Sequence, residues 1–231
     1  MNSDNIDTQA FSKHADSWWD TNGELKTLHL INPVRLNYTN NACNLDNKRV
    51  LDVGCGGGIF SEAMARLSAK VTALDISEPV IQMARKHAED EDLKIEYLAT
   101  TIEEYASNNQ ARFDVITCME MLEHVHDPVS VIASMADIIL PGGDIFLSTI
   151  NRTLSAYAKS IFIAEHLINL IPKQTHNYSQ FIKPSELSQI LRSYGFRVID
   201  ITGLKYIPVI DYVSLTNDLS VNYMLHAKYD G

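Results

Sequence analysis

One aspartate and three glycines occupy every second position just after residue 50, where an apolar run ends. Val50, Leu51 and Val53 suit a buried strand, and a helical pattern covers residues 59–67. The alternating residues are Asp52, Gly54, Gly56 and Gly58. Glycine lets the backbone approach a ligand closely, and the first turn of a helix presents free N–H groups. We therefore predict that Asp52 and these glycines hold a polar ligand, and an acid at the strand end suits a ligand with an ammonium group.

A second carboxylate follows at the spacing that ribose recognition requires. Asp75 ends the apolar run 71–75, and it lies 21 residues (75 − 54) after Gly54. An acid at this place accepts hydrogen bonds from ribose hydroxyls. A dinucleotide fingerprint also needs glycine at position 59, which is isoleucine here. The two halves together resemble the S-adenosylmethionine (SAM) site of class I methyltransferases, and we expect Ile76, beside Asp75, to contact SAM as well.

A third polar group, Glu120, Glu123 and His124, follows the fourth apolar run. These side chains would share one face if residues 118–124 form a helical turn. Methyl transfer to a phenol needs a general base or a cation that favours deprotonation. His124 suits a base, and the two glutamates suit Mg²⁺. Alternatively, both glutamates are solvated and His124 caps the turn. Met119 is placed either against the cofactor's adenine or sulfonium, or in simple packing.

Strand patterns alternate with helix patterns along the chain, which predicts an α/β fold with a doubly wound, mostly parallel sheet of seven strands. The predicted strands cover residues 49–53, 71–75, 93–98, 113–118, 144–149, 196–201 and 221–226. Ligands of such sheets bind beyond the carboxyl ends of the strands, where all the polar groups above fall. Thr101 and Ile102, after the third strand, are expected to border an adenine. Residues 203–219 show little regular pattern.

We predict a single domain over residues 1–231, with an N-terminal helical cap (1–47) and an amphipathic insertion (152–180) after the fifth strand. Asn32 and Pro33 are typical of a helix start, and Arg35 then lies where it can meet a carboxylate. Residues 154–171 predict a helix with a polar stripe and an apolar face. This helix either packs on its own domain or guides a lipid-like substrate and touches the membrane surface.

Composition excludes several classes of protein. The net charge of −10 disfavours a nucleic-acid partner. Three widely spaced cysteines argue against a disulfide framework or a zinc site and for a reducing compartment. The acidic, polar start is unlike a signal peptide, and no apolar run reaches the ~20 residues that span a bilayer. We expect a cytoplasmic protein, with peripheral contact at the inner membrane left open.

Motifs along nearly the whole chain resemble the ubiquinone-biosynthesis O-methyltransferases. They lie at residues 18–20, 23–26, 28–29, 31–33, 35–36, 51–58, 117–125, 141–144, 181–184 and 221–225. The resemblance implies a bifunctional enzyme that uses SAM to methylate a polyprenyl catechol and 3-demethylubiquinol. By matching position, it implies SAM contacts at Arg35, Gly54, Asp75 and Met119. The resemblance also suggests a divalent cation at positions 120, 123 and 124. It further suggests membrane contact through residues 154–171 and association with other enzymes of ubiquinone biosynthesis.

Three rival interpretations stay open. The first is a class I methyltransferase for another small phenol or amine, because the acceptor pocket involves the segments whose sequence says least. The second is a nicotinamide-dependent dehydrogenase, against which the missing third glycine argues. The third is a non-catalytic SAM-binding member of a quinone-biosynthesis complex.

Overall fold

A computed structural model describes residues 18–109, 112–154, 156 and 178–231. The strands of the described residues are β1 (Arg49–Val53), β2 (Lys70–Asp75), β3 (Ile95–Ala99), β4 (Phe113–Met119), β5 (Ile139–Ile150), β6 (Phe196–Ile207), β7 (Tyr212–Thr216) and β8 (Asn222–Tyr229). Their helices are α1 (Lys26–Cys43), α2 (Ile59–Ala65), α3 (Glu78–Asp90), α4 (Ile102–Asn108), α5 (Pro128–Ile138) and α6 (Pro184–Ser193), with short 3₁₀ turns at Tyr178–Gln180 and Pro208–Ile210.

The strands form one sheet in the order β3-β2-β1-β4-β5-β8-β6-β7. The pairs among β1 to β5 are all parallel, and β8 lies antiparallel between β5 and β6. This arrangement confirms the predicted α/β fold with a mostly parallel, doubly wound sheet. Because the chain order reverses between β1 and β4, the loops after these strands diverge and leave a crevice at their carboxyl ends.

Both faces of the sheet are covered, as a parallel sheet requires. Leu51 and Ile116 pack on the face that carries α4, α5 and α6. Val50 and Val115, their neighbours along the strands, pack on the opposite face with residues of α2 and α3. This alternation matters for function, because Asp52 then shares a face with Val50 and lies under the start of α2.

The sheet has eight strands, one more than the sequence predicts. β6 continues to Ile207, and β7 pairs antiparallel with it from Tyr212↔Ile207 to Thr216↔Gly203. β7 is an edge strand, and its Tyr212 and Leu215 are exposed. An edge strand without a buried apolar face shows no clear alternation of apolar and polar residues in the sequence, so the sequence does not predict this strand.

Helix α1 begins at Lys26 and runs through Pro33, so the predicted helix start at Asn32 and Pro33 is wrong. Proline lacks the N–H that would bond to the carbonyl of His29, four residues earlier. The helix nevertheless continues, because Ile31 and Arg35 on either side are buried against the rest of the protein. The Asn32 side chain, expected to cap the helix, instead donates to the carbonyl of Ile59 at 3.2 Å.

Two predicted segments lie partly outside the described residues. The predicted N-terminal cap (1–47) is described only from Trp18 onwards, and the insertion 152–180 only at residues 152–154, 156 and 178–180. Within the part of the chain that is described, no helix is both long enough and apolar enough to cross a membrane.

Candidate functional site

A cavity of about 700 Å³ opens at the carboxyl ends of β1, β2, β4 and β5, beneath α1. Its volume lies within the range of small-molecule binding pockets, about 300–1,000 Å³. The sequence-predicted site residues that line it are Arg35, Asp52, Gly54, Gly56, Asp75, Ile76, Thr101, Ile102, Met119, Glu120, Glu123 and His124. Twelve of the thirteen predicted residues therefore meet in one space, and only Gly58 is not among the lining residues.

The glycine loop after β1 needs glycine for two reasons. Gly54 and Gly56 have φ angles of 72° and 52°, which residues other than glycine rarely adopt. A Cβ at Gly54 would lie 2.5 Å from the Met121 side chain, and a Cβ at Gly56 would lie 2.5 Å from the Trp18 ring. The loop can thus pass between two side chains and still form the floor of the cavity.

Gly58 serves packing, where the sequence pattern suggested ligand contact. It precedes α2 with a φ of 87°, and a Cβ there would lie 2.2 Å from the Tyr97 hydroxyl oxygen. Close approach of the helix start to β3 therefore explains this glycine.

Asp75 at the end of β2 holds the glycine loop and faces the cavity at the same time. Its Oδ2 accepts from the N–H of Gly56 at 3.0 Å, and its Oδ1 accepts from the N–H of Ser77 at 2.9 Å. A carboxylate has about four acceptor positions, so capacity remains for a ligand. Burial raises the pKa of Asp75, while these backbone hydrogen bonds act in the opposite direction. Ile76 beside it is 52% exposed.

Asp52 is buried at the bottom of the cavity between two hydroxyl groups. Thr117 Oγ1 donates to its Oδ1 at 2.7 Å, and Ser61 Oγ donates to its Oδ2 at 2.6 Å. Burial raises the pKa of Asp52 to about 6, and the two hydroxyl donors act against that rise. The group is therefore mostly ionised at neutral pH and gives this end of the cavity a negative charge.

Arg35 and Glu120 form an ion pair that connects α1 to the end of β4. Glu120 Oε1 also accepts from Ser148 Oγ at 2.9 Å. Arg35 is only 6% exposed, and its Nε is buried with no hydrogen-bond partner among the described residues. The ion pair therefore leaves part of the guanidinium group of Arg35 without a partner among the described residues.

Residues 118–124 do not form the helical turn that the sequence suggested. Glu120 has a φ of 52°, which reverses the chain directly after β4, and the N–H of His124 bonds to the carbonyl of Met121 at 2.9 Å. The backbone amide of Glu120 is held by the Ser148 carbonyl and hydroxyl at 3.0 and 3.1 Å, which keeps it in this conformation. The spacing i, i+3, i+4 therefore does not put the three side chains on one helix face.

The two glutamates have different partners. Glu123 is buried, and its Oε2 accepts from Thr149 Oγ1 at 2.7 Å, whereas Glu120 faces Arg35. Burial raises the pKa of Glu123 first of all, and the negative charge of Glu120 raises it further; His124 acts in the opposite direction. Among the described residues, no group of three or more His, Cys, Asp or Glu side chains is arranged to hold a metal ion. The arrangement does not fit a divalent cation.

Thr101 and Ile102 lie at the start of α4. The Thr101 hydroxyl caps the helix by accepting from the N–H of Glu104 at 3.1 Å, and Ile102 is buried. Glu103 lines the same part of the cavity, and its Oε1 accepts from Ser130 Oγ at 3.3 Å. Glu103 is one of the carboxylates that the fold brings to the cavity beside Thr101 and Ile102, and no pattern in the sequence predicted it.

Trp18 and Asn222 also line the cavity and were not predicted as site residues. Trp18 is buried against Leu25, Ile59 and Val80, and this packing also holds its ring in the cavity wall. Asn222 begins β8, and the only signal for it in the sequence was its place in the motif 221–225. The positions of these two residues in the sequence do not predict a functional role, because only the tertiary fold brings them to the cavity.

Comparison with known proteins agrees with this architecture. A family described as a methyltransferase domain matches residues 7–201. A ubiquinone biosynthesis O-methyltransferase from Aromatoleum aromaticum is 46% identical over 228 residues, covering 99% of this chain and 97% of the relative. One from Coxiella burnetii (strain RSA 331) is 49% identical over 227 residues, covering 97% of each.

Solved structures show the same fold. Magnesium protoporphyrin IX methyltransferase from Synechocystis PCC 6803 with bound SAM superimposes with a TM-score of 0.69 at 17% identity, covering 99% of this chain and 98% of that one. At that identity the likeness concerns the fold, while the near full-length relatives above concern the family. The chain belongs to the ubiquinone biosynthesis O-methyltransferases, within the SAM-dependent methyltransferase fold.

Proposed function

We propose that this SAM-dependent O-methyltransferase methylates ring hydroxyls of polyprenylated catechol and quinol intermediates, at both O-methylation steps of ubiquinone biosynthesis. The observation that carries the proposal is one cavity that holds Asp75 on one side and His124 and the buried Glu123 on the other. Relatives that share nearly half of the sequence carry ubiquinone biosynthesis in their names, which supports polyprenyl quinol-type substrates.

In the proposed complex, β1, β2 and α4 hold the nucleoside part of SAM. Asp75 accepts hydrogen bonds from the ribose hydroxyls with the lone pairs that Gly56 and Ser77 leave unused. The residues assigned to the rest of the nucleoside and the floor beneath it are Gly54, Gly56, Ile76, Thr101 and Ile102. Gly58 contributes by letting α2 approach β3.

The methionine part carries a carboxylate and an ammonium group, and the cavity offers one partner for each. The buried Arg35 Nε has no partner among the described residues and can donate to the carboxylate. Asp52, ionised at neutral pH, supplies the opposite charge for the ammonium group. Met119 at the end of β4 lies in the cavity wall.

When bound, SAM supplies an electrophilic methyl group on a sulfonium, which the ring hydroxyl oxygen attacks in line as S-adenosylhomocysteine leaves. A phenol has an ordinary pKa of about 10, so its proton must be accepted as the bond forms. We assign this to His124, because Glu120 is occupied by Arg35 and Ser148. Glu123, beside His124, would stabilise the imidazolium that results.

The proposal is tested by methyl transfer from SAM to a polyprenyl catechol. We expect turnover by the wild type, with and without a chelator, and a loss of kcat of about 10²–10⁴ in His124→Asn. The matched control is calorimetric binding of S-adenosylhomocysteine (SAH), which His124→Asn should leave unchanged. Absence of turnover despite SAH binding would favour the non-catalytic interpretation, and turnover of amines alone would favour a different acceptor.

We also propose peripheral membrane contact through residues 154–171. A polyprenyl substrate resides in the bilayer, and the sequence of this segment is amphipathic. At its start, Leu154 is 79% exposed, whereas Ala156 is buried and lines the cavity. The rest of the segment lies outside the described residues. Association with other enzymes of the pathway stays a prediction.

Liposome flotation tests the membrane contact. Ile161→Glu combined with Ile168→Glu places two charges on the predicted apolar face and should abolish flotation. Ser155→Glu combined with Asn169→Glu adds the same charge to the predicted polar stripe and should retain more of it. Equal flotation of the wild type and both double variants would rule out this segment as the contact.

A further inference from the structure

Two residues that line the cavity each have a buried side-chain atom with no hydrogen-bond partner among the described residues, and the two atoms are of opposite type. One is Arg35 Nε, a donor, and the other is Asn222 Oδ1, an acceptor. A buried polar atom without a partner costs free energy, so each marks a place where a ligand is expected to supply the missing group. The proposed function gives the donor a carboxylate and leaves the acceptor unused.

Asn222 lies on the same face of the sheet as Arg35 and Glu120. Along β8, the Tyr223 hydroxyl donates to the Ile182 carbonyl near α6, and Met224 packs against Ile31 of α1. Because side chains alternate along a strand, Asn222 shares the α1 face with Met224.

The register places Asn222 beyond the Ser148–Glu120 contact, towards the carboxyl end of β5. Met224 is opposite Ser148, and Asn222 is opposite Ile150, the last residue of β5. Asn222 therefore lies two residues further along the direction of β5 than the hydroxyl that holds Glu120.

The position of β8 in the sheet separates Asn222 from the nucleoside end. From β2, which carries Asp75, to β8 there are four strand spacings, through β1, β4 and β5. At about 4.8 Å each, this is roughly 19 Å across the sheet. Ile150 lies opposite Asn222 in the sheet and Val221 precedes it in the chain, and both are apolar residues of the cavity wall. This end of the cavity therefore suits an aromatic ring.

We propose that Asn222 binds the acceptor: its side-chain carbonyl accepts a hydrogen bond from a ring hydroxyl next to the oxygen that is methylated. This inference rests on the proposed function and adds the residue that selects a ring with a neighbouring hydroxyl group. An acceptor atom needs an O–H donor, which a catechol or quinol supplies and a ring without the second hydroxyl lacks. Asn222 thereby favours the reduced, hydroxylated ring and fixes its orientation towards the methyl donor.

The test compares two acceptors that share the same polyprenyl tail, a catechol and the phenol that lacks the neighbouring hydroxyl. For the wild type we expect a higher kcat/KM with the catechol. In Asn222→Leu, which has a similar shape and no acceptor atom, the catechol-to-phenol ratio should fall by about tenfold, the usual effect of one hydrogen bond. Asn222→Asp keeps an acceptor atom and should retain the preference. Comparing ratios cancels the different acidities of the two rings.

The controls separate this inference from folding and from the proposed function. SAH affinity should be unchanged in both Asn222 variants, and Ile150→Val should change kcat/KM for the two acceptors by the same factor. A catechol-to-phenol ratio that is the same in wild type and Asn222→Leu would overturn the inference, as would loss of the preference in Asn222→Asp. A wild type that binds SAH and methylates neither ring would overturn the proposed function, and this inference with it.

Discussion

The Asp75 carboxylate has two hydrogen bonds to the protein, and we predict that its remaining acceptor capacity binds the ribose of SAM. Asp75→Asn keeps one acceptor atom and should weaken SAH binding by about tenfold. Asp75→Ala also loses the hydrogen bonds to Gly56 and Ser77 that shape the glycine loop, and it should weaken binding by about a hundredfold. Isothermal calorimetry measures both effects.

Asp114 provides a matched control for Asp75. It also accepts from a backbone N–H, that of Arg49 at 2.9 Å, but it lies at the beginning of β4, at the opposite edge of the sheet. Asp114→Ala should therefore leave SAH affinity unchanged. Unchanged affinity in Asp75→Ala would remove the assignment of the whole cofactor half of the cavity.

Because the pKa of Asp52 is raised, we predict that its ionised carboxylate lowers the free energy of unfolding at neutral pH and not at acidic pH. Its pKa rises from an ordinary 3.8 to about 6 on folding, because the carboxyl group is buried. The folded protein then holds this proton more tightly than the unfolded chain, so the contribution is most favourable below pH 4 and is lost as the pH rises through 6. Removing the charge with Asp52→Asn should therefore help more at pH 7.5 than at pH 4.5, by about 2 kcal/mol.

Urea denaturation of wild type and Asp52→Asn at several pH values, without SAM, measures this difference. Asparagine can keep both neighbours, since the Ser61 and Thr117 hydroxyls can each donate or accept. The dependence of the unfolding free energy on urea should be the same in both proteins, which shows that the comparison concerns the folded state. A stability difference that does not vary with pH would contradict the raised pKa.

At the scale of elements, the segment before α1 joins the cofactor side through two adjacent tryptophans with different environments. Trp18 lines the cavity above Gly56. Trp19 points away and stacks on His87 of α3 with ring centroids 3.6 Å apart, while its Nε1 donates to the carbonyl of Gly57 at 3.1 Å. The first ring therefore lies where it can report on the ligand, and the second holds the segment to α3 and to the glycine loop.

These are the chain's two tryptophans, so intrinsic fluorescence can distinguish them. We expect SAH to change the fluorescence of the wild type and of Trp19→Phe, and Trp18→Phe to lose most of this change. The reason is that only the Trp18 ring borders the space that the ligand fills. If Trp18→Phe kept the full response and Trp19→Phe lost it, the predicted position of SAH in the cavity would be wrong.

Elements with strong local signals could be predicted from the sequence, and elements that depend on tertiary contacts could not. β1, α2 and β2 follow from apolar runs and a glycine turn, and the structure has them at nearly the predicted residues. The predicted start of α1 is too late, because Pro33 is normally a signal for the start of a helix. In this chain the burial of Ile31 and Arg35 outweighs the hydrogen bond that Pro33 cannot make. β7 was missed because an exposed edge strand has no buried face to create a pattern.

At the scale of the whole molecule, the site could be predicted in outline because the fold collects the ends of parallel strands. Asp52, Asp75 and Glu120 are far apart in sequence, but each follows or ends a strand whose carboxyl end lies at the same edge. What the sequence could not provide is the direction of each side chain. The shared helix face for Glu120 and Glu123 was wrong because a single positive φ at Glu120 turns the chain.

The cavity wall combines α1, the loops after β1, β2 and β4, and the start of β8, so a bound ligand should stabilise the molecule as a unit. By mass action, SAH at 100 times its Kd adds about 2.7 kcal/mol to the free energy of unfolding. For a chain of this length, that corresponds to a rise in Tm of roughly 5–11 °C. We expect this rise with SAH in the wild type, its loss in Asp75→Ala at the same concentration, and no rise with NAD. Thermal unfolding followed by circular dichroism measures all three. A rise with NAD and none with SAH would contradict a SAM site, because only a ligand that prefers the folded state can raise Tm.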